Sequence, residues 1–80
     1  MKAEGASPDR ELLAGQVERV TFHSEETGFA VLRVRVRGRR EAVTVVGHAA
    51  AISAGEELRA SGSWGNDPKH GPQFRAESLT

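Results

Sequence analysis

The sequence predicts an all-β domain of five strands closed into a small barrel, and three features carry that reading. From Gly28 to Arg40, GFAVLRVRVRGRR, apolar Ala30, Leu32, Val34 and Val36 alternate with Arg33, Arg35 and Arg37. That period of two places the valines and the arginines on opposite faces of a strand, whereas a helix would scatter the arginines around its circumference. Further runs of this kind follow along the chain, separated by turns rich in glycine, proline and polar residues. Finally, the chain has 80 residues and no cysteine. A chain this short buries only about 60% of its unfolded surface, and it has no disulfide to compensate, so its stability must come from closing a sheet on itself or packing on a larger body.

Composition excludes several functions. The 11 lysines and arginines balance the 11 aspartates and glutamates, so net charge gives no argument for a polyanionic partner. Distribution says more, because five of the eleven positive residues lie between Arg33 and Arg40, a segment without an acid. Phosphate binding by so short a patch is expected to be weak and strongly salt-dependent. No apolar run approaches the roughly 20 residues of a membrane helix, and Met1 to Arg10 is too polar for a signal peptide. A cytoplasmic protein without a membrane partner is expected.

Residues 1–10 lack periodicity and read as a disordered leader, leaving 11–80 as the folded domain. In the first strand, Glu11 to His23, the residues Leu13, Gly15 and Val17 share one phase while Val20 and Phe22 take the other. Such a switch marks a β-bulge near Glu18 or Arg19, bending a long strand around two sides of a barrel and placing Phe22 in the core. Ser24 to Gly28, SEETG, is a tight hairpin connection with Gly28 available for positive φ. The arginine-bearing strand follows, then a turn at Gly38 to Arg40, then a third strand, Glu41 to Gly47, apolar on nearly both faces. His48 to Gly55, HAAAISAG, is too short for an independent helix and too apolar for an exposed loop, so it is expected to form a short helical plug at one end of the sheet. In the fourth strand, Glu57 to Gly65, the residues Leu58, Ala60, Gly62 and Trp64 point inward, small residues beside one large one. Asn66 to Pro72 is a loop, and Gln73 to Leu79 is the last strand, with Phe74 and Ala76 inward. Three meandering strands, a plug and two more strands are the order of an OB-like Greek-key barrel; an SH3-like barrel is the alternative and needs no plug.

Few residues carry chemistry. His23, His48 and His70 are far apart and show no metal-ligand spacing, no serine sits in a nucleophile elbow, and no glycine-rich phosphate loop is present. The domain therefore reads as a non-enzyme that needs no cofactor of its own. Phe29 shares the face of Arg33, Arg35 and Arg37, an aromatic ring followed by a row of guanidinium groups. Bases stack on such a ring while phosphates meet the cations. On this reading Arg59, Lys69, His70 and Arg75 are expected to add further cationic or polar contacts to a single strand of DNA. The opposing reading is a solvated outer strand face, and Glu25 and Glu26 in the first loop repel phosphate. By its phase Trp64 belongs to the core, with a stacking surface at the barrel rim as the alternative.

The segments GQVERVTFHSEETGFAVLRV, TVVGH, GEELRASGSW and DPKHGPQF, in this order, resemble the N-terminal OB-like domain of RecD-like ATP-dependent DNA helicases, relatives of the exonuclease V alpha subunit. The most specific pieces are ETGFAVL and the G-x-Q-F stretch at Gly71, Gln73 and Phe74. At Asp67 and His70 the sequence departs from the family, which often carries histidine and an aromatic there. The resemblance implies a multidomain 5′-to-3′ helicase of DNA repair or recombination, with ATP and magnesium held in motor domains outside this chain. It implies an accessory role for this domain, either weak single-stranded DNA binding or docking on the motor domains or a repair protein.

Overall fold

The computed structural model describes residues 11–69 and 71–79, which form five strands: β1 (Glu11–His23), β2 (Phe29–Arg35), β3 (Val43–His48), β4 (Glu57–Asp67) and β5 (Gly71–Leu79). They close in the order β1-β2-β3-β5-β4, with β4 pairing back to β1. All ladders are antiparallel except β3–β5, which is parallel. Five strands in this circular order, with a parallel link between the third and fifth, make the OB barrel that the sequence predicts.

The alternation of apolar residues decides what lies inside. Leu13, Val17, Ala30, Leu32, Val34, Val43, Val45, Leu58, Ala60 and Phe74 are buried and form one core, with no polar or charged side chain buried among the described residues. Two glycines let neighbouring backbones approach closely enough to close so small a barrel. A methyl group at Gly15 would collide with the Arg35 carbonyl, and one at Gly62 with the Arg75 carbonyl.

Four expectations are corrected. The first concerns Phe22. The register skips Glu18, where a bulge is predicted, but it skips Thr21 as well. The second bulge reverses the phase again, so Val20 packs on the core while Phe22 turns outward and is 52% exposed.

The second correction concerns the plug, because the described residues contain no helix. Residues 49–56 are irregular, with a turn at Gly55, whose φ is +94°. Their backbone groups find partners elsewhere. Ala49 N–H donates to Gly28 O (2.8 Å), Gly55 N–H to Val17 O (2.7 Å), and Glu56 O accepts from Val17 N–H (2.8 Å). A one-turn helix has no comparable set of bonds to offer. Ile52 still packs on the core, so the segment covers the barrel end without being helical.

The third correction is that Arg37 lies outside the strand. β2 ends at Arg35, and the chain turns through Gly38 at φ +87°, with Arg39 N–H donating to Val36 O (3.1 Å). The fourth is that the loop between β4 and β5 is shorter than the predicted Asn66–Pro72. Pairing runs on to Asn66↔Pro72 and Asp67↔Gly71, so both strands reach into the predicted loop. The predicted leader, 1–10, and His70 lie outside the described residues.

Candidate nucleic-acid interface

Cross-strand partners in an antiparallel sheet share a face, so the register fixes what stands on the outside of β1, β2 and β3. Phe22 is paired with Val31, and Val31 with Val46; Phe29 is paired with His48. These residues make a continuous apolar and aromatic surface at the β1–β2 end of the sheet. The Phe22 and Phe29 ring centroids are 6.2 Å apart at 53°, and those of Phe29 and His48 are 5.7 Å apart at 71°. All three side chains are exposed, so the cluster presents ring surface to solvent.

The hairpin fixes this cluster from below. Ser24 N–H donates to Phe29 O (2.8 Å), Gly28 N–H to Ser24 O (2.7 Å), and Phe29 N–H to Thr27 Oγ1 (3.2 Å). Beneath the cluster, His23 Nε2 lies 2.9 Å from Ala49 O; a carbonyl only accepts, so this nitrogen carries the hydrogen. The second bulge that turns Phe22 outward thus turns His23 inward, tying the first loop to the segment after β3.

The cationic residues follow along the same strands. Arg33 is paired with Arg19 on β1 and with Thr44 on β3, and its Nη1 donates to Thr44 Oγ1 at 3.4 Å. Arg35 stands one outward position further on, its Nη2 3.7 Å from Glu18 Oε2, with both side chains well exposed. A pair this open restrains Arg35 only weakly. Arg75, the parallel partner of Val46, borders the apolar rows and lies over Gly65, where a Cβ would stand 2.6 Å from its Nε.

The remaining predicted residues are elsewhere. Arg37 and Arg59 line a groove on the β1–β4 side together with Arg35 and Arg39. Lys69 sits in the β4–β5 turn, its N–H donating to Asp67 Oδ1 (2.7 Å). The structure therefore places Phe29 and Arg33 on the outer face of β2 and Arg35 further along it, where Arg35 also lines the groove with Arg37 and Arg59, while Arg75 lies over β4 and Lys69 sits in the β4–β5 turn. Phe22 and His48 are not legible as parts of this surface from sequence, because only the register shows that both flank Phe29. Among the described residues no three His, Cys, Asp or Glu side chains converge to hold a metal ion.

A family model for the OB-fold domain of the ATP-dependent DNA helicase YrrC matches residues 10–80. The chain belongs to that family. No curated protein and no solved structure matches it. For this YrrC-type OB-fold domain the match covers all five strands, so the outer face of β1–β2–β3 is a surface of the family's barrel itself. Chemically that face offers ring surface and guanidinium groups, which suits stacking and charge pairing.

Proposed function

We propose that this domain is an accessory, N-terminal module of a RecD-like DNA helicase and that it binds single-stranded DNA weakly and without sequence preference. The observation that supports this most is the Phe22–Phe29–His48 cluster, with Arg33 and Arg35 further along the same outer face of β2. Every base has a π face, so stacking tolerates sequence and contributes about 1–3 kcal/mol per base. The guanidinium groups meet the phosphates and make the affinity fall with salt. In this reading ATP and magnesium act in the motor domains of the parent protein, and the barrel guides the strand during repair or recombination in the cytoplasm.

A second reading, docking on the motor domains or on a repair protein, is favoured by Leu12, an aliphatic side chain 86% exposed on β1, and by the neutral net charge. A chemical-shift titration with oligothymidine at low and moderate salt separates the two. Salt-sensitive shifts on Phe22, Phe29, His48 and Arg33 support DNA binding. No shift at low salt would overturn it in favour of docking.

A further inference from the structure

The barrel has another aromatic site at its opposite end. β3 and β5 are paired at Val45↔Phe74 and Val46↔Arg75, and toward Val43 the ladder stops. A groove opens there, lined by Arg33, Arg39, Arg40, Thr44, Trp64 and Pro72, with Glu41 as its acidic member. Trp64 supplies the aromatic wall and is held by two contacts: its ring meets Phe74 edge-on, centroids 5.3 Å apart at 80°, and its Nε1–H donates to Glu11 Oε1 at 3.2 Å. One face of the indole is left for the Arg39 guanidinium, whose central carbon lies 4.6 Å from the ring centroid. Arg39 is exposed and belongs to the β2–β3 turn, so it covers the ring without being built into the core.

We propose that Trp64 is a second nucleobase-stacking site, covered by Arg39 in the free domain, and that a single strand bound at Phe29 continues along β3 into it. The inference rests on the DNA-binding reading above and extends it to the other end of the barrel. Stacking a base on an aromatic ring is stronger than an exposed cation–π contact, so a base displaces the guanidinium. Arg39, once displaced, remains beside Arg33 and Arg40, where a phosphate needs a cation. The spacing is suitable. From His48, beside Phe29, to Val43, in the groove, β3 advances about 17 Å. At ~3.4 Å per stacked nucleotide this is about five nucleotides, within the site size of one OB fold.

Trp64 is the single tryptophan of the chain, so its emission reports on this site alone. Oligothymidine about eight nucleotides long is titrated into the protein while Trp64 fluorescence and the amide shifts of Phe29 and His48 are followed, with inorganic phosphate as the control. The expected result is a quench of roughly half the emission, with the same midpoint as the Phe29 shifts and none with phosphate. Shifts at Phe29 without a quench overturn the inference and leave the DNA-binding reading standing; neither shifts nor a quench overturns both. A quench without Phe29 shifts, or an equal quench by phosphate, also overturns the proposal: the first removes the continuous path, the second shows an anion displacing Arg39 with no base on the ring. In the free protein Arg39→Ala, a substitution in an exposed turn, is expected to raise acrylamide quenching of Trp64, and an unchanged value would sink the cover.

Discussion

The two ends of β2 are built differently. At its start, Phe29 is surrounded by Phe22 and His48 and secured by the Ser24–Gly28 hairpin bonds, so that rings are presented on fixed backbone. Beyond its end, Arg37, Arg39 and Arg40 are carried on a turn through Gly38, outside the sheet ladder. One end offers preformed apolar surface and little charge, while the other offers charge on long side chains and one tryptophan. The lesson is that a protein of neutral net charge holds ring surface and cationic charge apart along one strand. Under the proposed DNA binding, stacking at the first end would be insensitive to salt and phosphate contact at the second would not.

The most severe way to break the comparison is to remove what both ends share. Phe74 is fully buried, pairs with Val45 and Trp64, and touches the Trp64 ring. Phe74→Ala is expected to cost about 3–5 kcal/mol. Stability of about 4–12 kcal/mol is ordinary for a domain of this size, so thermal denaturation should show a much lowered or absent transition.

Reversing the charge of Arg33, Arg35 and Arg37 together attacks the cationic end. All three are exposed, so the melting temperature should hardly change, while affinity for oligothymidine falls by about two orders of magnitude. The slope of log affinity against log salt should flatten by about 2 units, at ~0.7 for each phosphate no longer neutralised. Phe29→Ala attacks the other end. It should weaken binding by about 1–3 kcal/mol with an unchanged salt slope, and equal slopes for the two variants would erase the distinction between the ends. The smallest effect is expected from Glu18→Gln, which releases Arg35 from its 3.7 Å partner. Affinity at low salt should rise by less than about 1 kcal/mol, measured by the same titration.

Much of this arrangement is legible in the sequence, for physical reasons. The outward Arg33 and Arg35 follow from period two, and the bulge at Glu18 follows from the phase switch between Val17 and Val20. The bulge at Thr21 is not legible, because with His23 and Phe22 adjacent the sequence does not say which of them faces in. The helical plug fails as a prediction because residues 49–56 find backbone partners on β1 and in the first loop, which are distant in sequence. For the same reason His48 is invisible as a neighbour of Phe29: the contact is a matter of register between two strands. Arg39 over Trp64 joins residues 25 positions apart (64 − 39), and neither residue type announces the other.

The short parallel ladder between β3 and β5 also bears on how the chain folds. Hairpins β1–β2, β2–β3 and β4–β5 join near neighbours, whereas Val45 and Phe74 are 29 positions apart (74 − 45). The β1–β4 ladder spans still more of the chain, Gln16↔Glu57 to Glu11↔Gly62, but it closes with six pairs where β3–β5 has two. Long-range closure is entropically late, and this two-pair ladder has the least to hold it, so the seam is where the last step of folding and the first step of opening meet. In native-state hydrogen exchange, the amides of Val46 and Arg75 should exchange through a smaller opening than those of Leu32 and Val34 at the centre of β2.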